Sequence, residues 1–182
     1  MVQANPALPY GLRDVRLYPL AADWSLGTGV DLPVARVFTF SDTEAFTELT
    51  GDDTTQASHG AGPVVEWELE AGGISLAAYQ VMAGGAIVRT GVTPNIKDTF
   101  TKLTTDSRPY FQVEGRAISD SGGDVHTIVY RCKADSNLEG TFEGGNFFLT
   151  KGKGKGYGDN VGASPTFKLY QFVQNETGVA IP

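Results

Sequence analysis

Cysteine, histidine and charge are all scarce in this chain. A lone cysteine, Cys132, among 182 residues excludes an internal disulfide framework. Its place beside Tyr130 in an alternating run fits a packed, inert thiol. The two histidines, His59 in a polar loop and His126 on a strand, have no second His or Cys at ligand spacing. Cys132 is expected on the strand face of His126, but zinc needs about four clustered ligands, so no metal site is expected. No apolar run approaches the roughly 20 residues of a membrane-spanning helix, and the first residues lack the charged and apolar regions of a secretion signal. The protein is therefore expected to stay where it is made until something moves it. Charged residues are only 19% of the chain, a weakly charged surface that favours association.

The charge that exists is uneven. The formal net charge is −7, which argues against gripping phosphates with lysine and arginine. Residues 37–88 contain no lysine or arginine, yet they hold Asp42, Glu44, Glu48, Asp52, Asp53, Glu66, Glu68 and Glu70. The remainder is close to neutral, so one contiguous stretch is expected to build an acidic surface.

Glycine, by contrast, is abundant, with 23 residues lying between short alternating apolar runs. That pattern predicts a β protein. Strands are expected near 14–20, 34–41, 63–70, 86–90, 108–119, 124–134, 145–150 and 166–174. In 63–70, Val65, Trp67 and Leu69 point one way and Glu66, Glu68 and Glu70 the other, because strand side chains alternate. In 124–134, Ile128, Tyr130 and Cys132 are set against Thr127, Arg131 and Lys133, and Ser121-Gly122-Gly123-Asp124 suits a hairpin after 108–119. The strand at 166–174 is apolar on both faces and is expected to be covered on both. Ile74, Ala77, Ala78, Val81 and Met82 recur with helical spacing between glycine pairs, predicting one helix of about three turns. The expected fold is mostly β (α+β): a β-sandwich of two packed sheets with one flanking helix, a single domain over 1–182. An N-terminal arm (1–10) and two long loops (44–62 and 151–162) complete it.

Catalytic patterns are missing. Glu66, Glu68 and Glu70 share a face, and paired carboxylates can hydrolyse glycosides. Three successive outward acids read more simply as a solvated face. Lys151-Gly152-Lys153-Gly154-Lys155-Gly156 lacks the order and context of a phosphate-binding loop. It reads as a flexible loop, or as a basic contact meeting the acidic 44–53 segment of another copy. Asn175-Glu176-Thr177 matches a glycosylation sequon, with no secretion signal beside it.

Several segments resemble a known family: Val30-Asp31-Leu32-Pro33-Val34-Ala35, Glu48-Leu49-Thr50-Gly51-Asp52-Asp53, Gly62-Pro63-Val64-Val65-Glu66-Trp67 and Gly72-Gly73-Ile74-Ser75-Leu76. Arg108-Pro109-Tyr110-Phe111, Ile118-Ser119-Asp120-Ser121-Gly122-Gly123-Asp124 and Phe147-Phe148-Leu149-Thr150 continue the series. In order, across about residues 10–178, they resemble the major tail proteins of siphovirus-type bacteriophages, especially those infecting actinobacteria. The resemblance implies a tail-tube fold and a structural virion protein without catalytic residues or cofactors. It implies hexameric rings stacked around a tape-measure protein, bounded by tail terminator and tail-tip proteins, assembled in the host cytoplasm and carried in the virion tail. Viral DNA would pass through without specific binding. Type VI secretion tube proteins look similar and form a related alternative. On this reading Glu66, Glu68 and Glu70 are expected in the lumen, where carboxylates repel DNA. Ring stacking is expected from the N-terminal arm and from Glu44, Glu48, Asp52 and Asp53, with Lys151, Lys153 and Lys155 as a basic contact loop. The rivals are a glycan-binding β-sandwich, which needs exposed aromatics such as Trp24, and a hydrolase using strand carboxylates.

Overall fold

The computed structural model describes residues 6–52, 54–159 and 166–181; Asp53, residues 1–5 of the expected arm and 160–162 of the expected second loop lie outside them. The chain is mostly β with one short helix. In order, the elements are β1 (Pro9–Pro19), β2 (Val30–Asp31), β3 (Ala35–Thr43), β4 (Phe46–Gly51), β5 (Thr54–Gly60) and β6 (Val64–Gly72). Then come α1 (Leu76–Ala83), β7 (Ala86–Thr90), β8 (Lys97–Thr101), β9 (Phe111–Ser119) and β10 (Asp124–Ala134). The last are β11 (Glu139–Gly140), β12 (Leu149–Gly156) and β13 (Tyr170–Asn175). No helix among the described residues is long and apolar enough to cross a membrane.

Nine strands form one antiparallel sheet in the order β2-β1-β9-β10-β12-β6-β3, with β11 on β12 and β13 on β10. The two separate packed sheets expected from the sequence are thus one continuous sheet that returns on itself. Phe38 of β3 lies against Gly115 of β9, where a Cβ would collide with its ring. Phe40 packs 5.7 Å from the Tyr170 ring of β13. Between these layers lie Val15, Leu17, Val65, Trp67, Leu69, Phe111, Val113 and Val129, all buried.

The stretch expected to be the loop 151–162 is, through Gly156, a strand inside this sheet. β12 pairs with β6 along its whole length, from Leu149 opposite Gly72 to Gly156 opposite Val65. The lysine–glycine repeat has period 2: lysines point outward and glycines inward. The glycines are required by what they face. A Cβ on Gly152 would stand 3.2 Å from the Met82 sulfur, and one on Gly154 would stand 2.6 Å from Trp67 Cζ2 and strike the Lys133 carbonyl. Bulk that most strands carry on their inward face is supplied here by the Trp67 indole and Met82.

β10 carries the second departure. Its pairing with β9 slips between Val129 and Cys132, and Arg131 has φ +40°. This β-bulge swaps the faces of the strand. Val129 before it and Cys132 and Ala134 after it all enter the core. Cys132 therefore lies on the opposite face from His126, contrary to the simple alternation. Below the bulge β10 pairs with β13, and above it with β12, so two strands share one edge.

The helix is two turns rather than three. Ser75 caps it, accepting from the Ala78 N–H at 3.2 Å, and Gly84 ends it at φ +76°. Ala78, Val81, Met82 and Ala83 are buried, whereas Ile74 precedes the cap and is exposed. β13 is also not covered on both faces, because Phe172 is 57% exposed.

Gly154→Ala should destabilise the fold by about 1–3 kcal/mol, the cost of overpacking a tight site. Gly144→Ala, where a Cβ meets nothing within 4 Å, should change stability by less than about 0.5 kcal/mol. Urea denaturation of the two variants tests the difference.

Candidate functional site

Glu66, Glu68 and Glu70 share the outward face of β6, and Lys155, Lys153 and Lys151 stand directly opposite them on β12. Lys151 Nζ lies 3.0 Å from Glu70 Oε2, and Lys153 Nζ lies 3.1 Å from Glu68 Oε1. Arg36 Nη1 adds a contact to Glu70 at 3.6 Å. The acidic ladder and the basic repeat, two separate features in the sequence, form one charge-paired surface within a single chain. Its three glutamates and three lysines cancel formally, so this face is not the bare acidic wall expected. Thr39 and Ser41 of β3, with Asp135 and Ser136, help line a shallow groove of about 530 Å³ over it.

Within the expected loop 44–62, β4 and β5 form a β-hairpin. Among the described residues β4 and β5 pair only with each other, from Phe46 opposite Gly60 to Gly51 opposite Thr54. Every residue of β4 is exposed, including Phe46 at 63% and Leu49 at 65%. Glu44 sits at the base, where its Oε1 accepts from the Gly62 N–H at 3.3 Å. Glu48 lies on β4 and Asp52, with φ +51°, at the turn. His59, expected in a loop, is an exposed residue of β5 opposite Thr47. β7 and β8 make a second hairpin outside the main sheet, clipped by Arg89 Nε on Asp98 Oδ1 at 2.7 Å. At the N-terminus, Pro9 and Tyr10 of the expected arm belong to β1, and the Asp120 N–H donates to the Leu8 carbonyl at 2.9 Å.

Trp24 is half-buried rather than displayed. Its ring meets Tyr110 edge-on at 5.2 Å, and the Arg131 guanidinium lies 5.4 Å from its centroid and 5.6 Å from that of Tyr157. Arg131 thus stands within cation–π range of both rings.

Sequence reasoning missed a buried polar cluster on the far face of β9 and β10. Asp124 is fully buried, and its Oδ1 accepts from Asn175 Nδ2 at 2.8 Å. Its Oδ2 accepts from Arg116 Nε at 2.6 Å and from the Val179 N–H at 2.7 Å. His126 Nδ1 lies 2.8 Å from Glu114 Oε1, and its Nε2 lies 3.0 Å from the Val179 carbonyl. Burial pushes the Asp124 carboxyl upward, but the donors from Asn175, Arg116 and Val179, with the charge of His126, outweigh it and hold the group at about 2. Burial alone pushes the Cys132 thiol well up, in keeping with its place in the core. No cluster of three or more His, Cys, Asp and Glu among the described residues is placed to hold a metal.

Because the folded Asp124 carboxyl lies below its unfolded value, its contribution is complete above about pH 4. It is lost as pH falls toward 2, and amounts to about 2 kcal/mol. Asp124→Asn should remove that part of the acid dependence and lower stability near neutral pH by about 3 kcal/mol, since it leaves the Arg116 charge short of its partner. Denaturation curves between pH 2 and 7 read both effects.

No protein-family model matches this chain, and no curated protein shows significant similarity to it.

Proposed function

We propose that this chain is a structural subunit that builds the non-contractile tail tube of a siphovirus-type bacteriophage, closing into hexameric rings that stack into a conduit for the genome. The observation that carries the reading is the β4–β5 hairpin: it stands outside the main sheet with Phe46 and Leu49 exposed. A lone two-stranded hairpin is marginal in water, and unpaired strand edges invite pairing with another chain. Cover from a neighbouring copy would stabilise it. The surface supports the same reading, since more large hydrophobic side chains are exposed than buried among the described residues, Phe142 at 82% and Phe147 at 94% being the extremes. Apolar exposure on that scale marks interaction surfaces.

The segment around Glu44, Glu48 and Asp52 would make the ring-to-ring contact, and the edges of β2 and β3 the lateral one. Tape-measure, terminator and tip proteins would be the partners, within the virion tail. If the face of β6 and β12 lines the bore, its low adhesion rests on paired opposite charges, because each glutamate there has a lysine opposite it. Phosphates binding such a wall would have to displace glutamates from the lysines, which removes much of the counterion-release gain that drives DNA binding.

Negative-stain electron microscopy of the concentrated protein should show six-fold rings or hollow tubes. Phe46→Ser combined with Leu49→Ser should abolish them while leaving the far-ultraviolet circular dichroism unchanged. A wild-type chain that stays a discrete particle and binds glycans would overturn the reading, whereas assemblies that survive the double change would remove the hairpin from the contact.

A further inference from the structure

The segment after β13 returns across the sheet and ends with Ile181 buried. Two contacts clasp it to the polar cluster: the Val179 N–H donates to Asp124, and the Val179 carbonyl faces His126 Nε2. The protonation this requires can be counted. His126 Nδ1 faces a carboxylate oxygen of Glu114 at 2.8 Å, and Nε2 faces a carbonyl oxygen at 3.0 Å, with Asp124 Oδ2 a further neighbour at 3.5 Å. A carbonyl oxygen and an ionised carboxylate only accept hydrogen bonds. A neutral imidazole has one N–H and cannot satisfy both sides. The ring carries two protons, or Glu114 carries one and donates it to Nδ1; in either case the Glu114–His126 pair holds one more proton than a free carboxylate and a neutral histidine would.

We propose that residues 176–181 form a proton-dependent C-terminal strap, closed while the Glu114–His126 pair keeps its shared proton and released when that proton leaves.

The groups that face the pair are few. From β9 come Glu114 and Arg116, from β10 Asp124, and from β13 the uncharged Asn175. On β1, Arg16 lies opposite Glu114 and Asp14 opposite Arg116 in the strand register, with Asp31 of β2 opposite Arg16, and Tyr18 and Tyr130 also feel the Glu114 charge. Arg116 is engaged with Asp124 at 2.6 Å, so Asp124 is not the sole counter-charge to His126 and the cluster survives with both carboxylates ionised. When the shared proton leaves, two anionic carboxylates and a carbonyl crowd a neutral ring with a single N–H. One of the two bonds is then unmade in a buried site, where an unsatisfied polar group is costly. The sign follows directly: the proton is bound in the closed strap and not in the open one, so raising pH favours opening. Opening uncovers the polar face of β9 and β10 and frees the segment carrying Val179 and Ile181. This holds whether or not the chain builds tubes.

The Val179 amide reports the clasp, because its hydrogen is held by Asp124. Its hydrogen-exchange protection, corrected for intrinsic rates, should fall at least about tenfold between about pH 5.5 and pH 8.5, while amides at the centre of β9 keep theirs. His126→Gln should leave Val179 with one level of protection at both pH values. Constant wild-type protection across the range overturns the proposal, and so does an unaltered pH response in the His126→Gln protein. If that variant unfolds, the wild-type profile decides alone, since loss of protection shared equally by β9 would also count against a local strap.

Discussion

Everything in the main sheet depends on one steric bargain between β6 and β12. Trp67 needs a surface without side chains to lie against, and Gly152 and Gly154 provide it, while Gly156 makes room for Val129. Glycine in a strand costs conformational entropy and supplies no packing of its own. Here the entropy is recovered by burying an indole to 3% exposure, a large apolar area for one residue. The lysines between the glycines keep the repeat strand-like, because each meets a glutamate across the pair. The two halves of the repeat thus serve different faces of one strand, and neither is intelligible without β6.

The bulge in β10 is the second constraint. A strand of regular pleat would carry His126 and Cys132 on one side; the slip at Arg131 sends the first to a polar face and the second into the core. It also turns the Arg131 guanidinium toward Trp24 and Tyr157. Below the bulge the strand offers an edge to β13, which leads the chain back to the polar cluster. One irregular residue therefore helps set the inert thiol, the aromatic cluster and the route of the C-terminal segment.

Much of this architecture was legible in the sequence. The expected strands 86–90 and 124–134 coincide with β7 and β10, and the alternation in 63–70 assigned the inward and outward residues of β6 correctly. The helix was found through its apolar spacing but drawn a turn too long, because Ile74 fits the period while Ser75 takes the cap. The strand expected at 145–150 overlaps β12 only at Leu149 and Thr150, and the rest of β12 was missed for a physical reason: strand recognition relies on hydrophobic alternation, and a stretch whose inward residues are glycines shows none. The hairpin of β4 and β5 was missed because both of its faces are exposed and polar residues dominate them. The charge pairing of Lys151 and Lys153 required knowing that β12 lies beside β6, some eighty positions earlier. The clasp of Val179 on His126 is equally non-local, and no local pattern announces it.

The pairing of β6 with β12 also has an electrostatic consequence at a distance. Rows of opposite charge one strand apart, about 4.8 Å, form a multipole whose field decays faster than that of an isolated charge. The Debye length in physiological salt is about 8 Å, longer than that spacing. The cancellation is therefore set by the backbone register, before mobile ions contribute. A charged polymer passing above this face would sense little field from these paired rows themselves, and the chain's other fixed charges would reach it only as far as the Debye length allows.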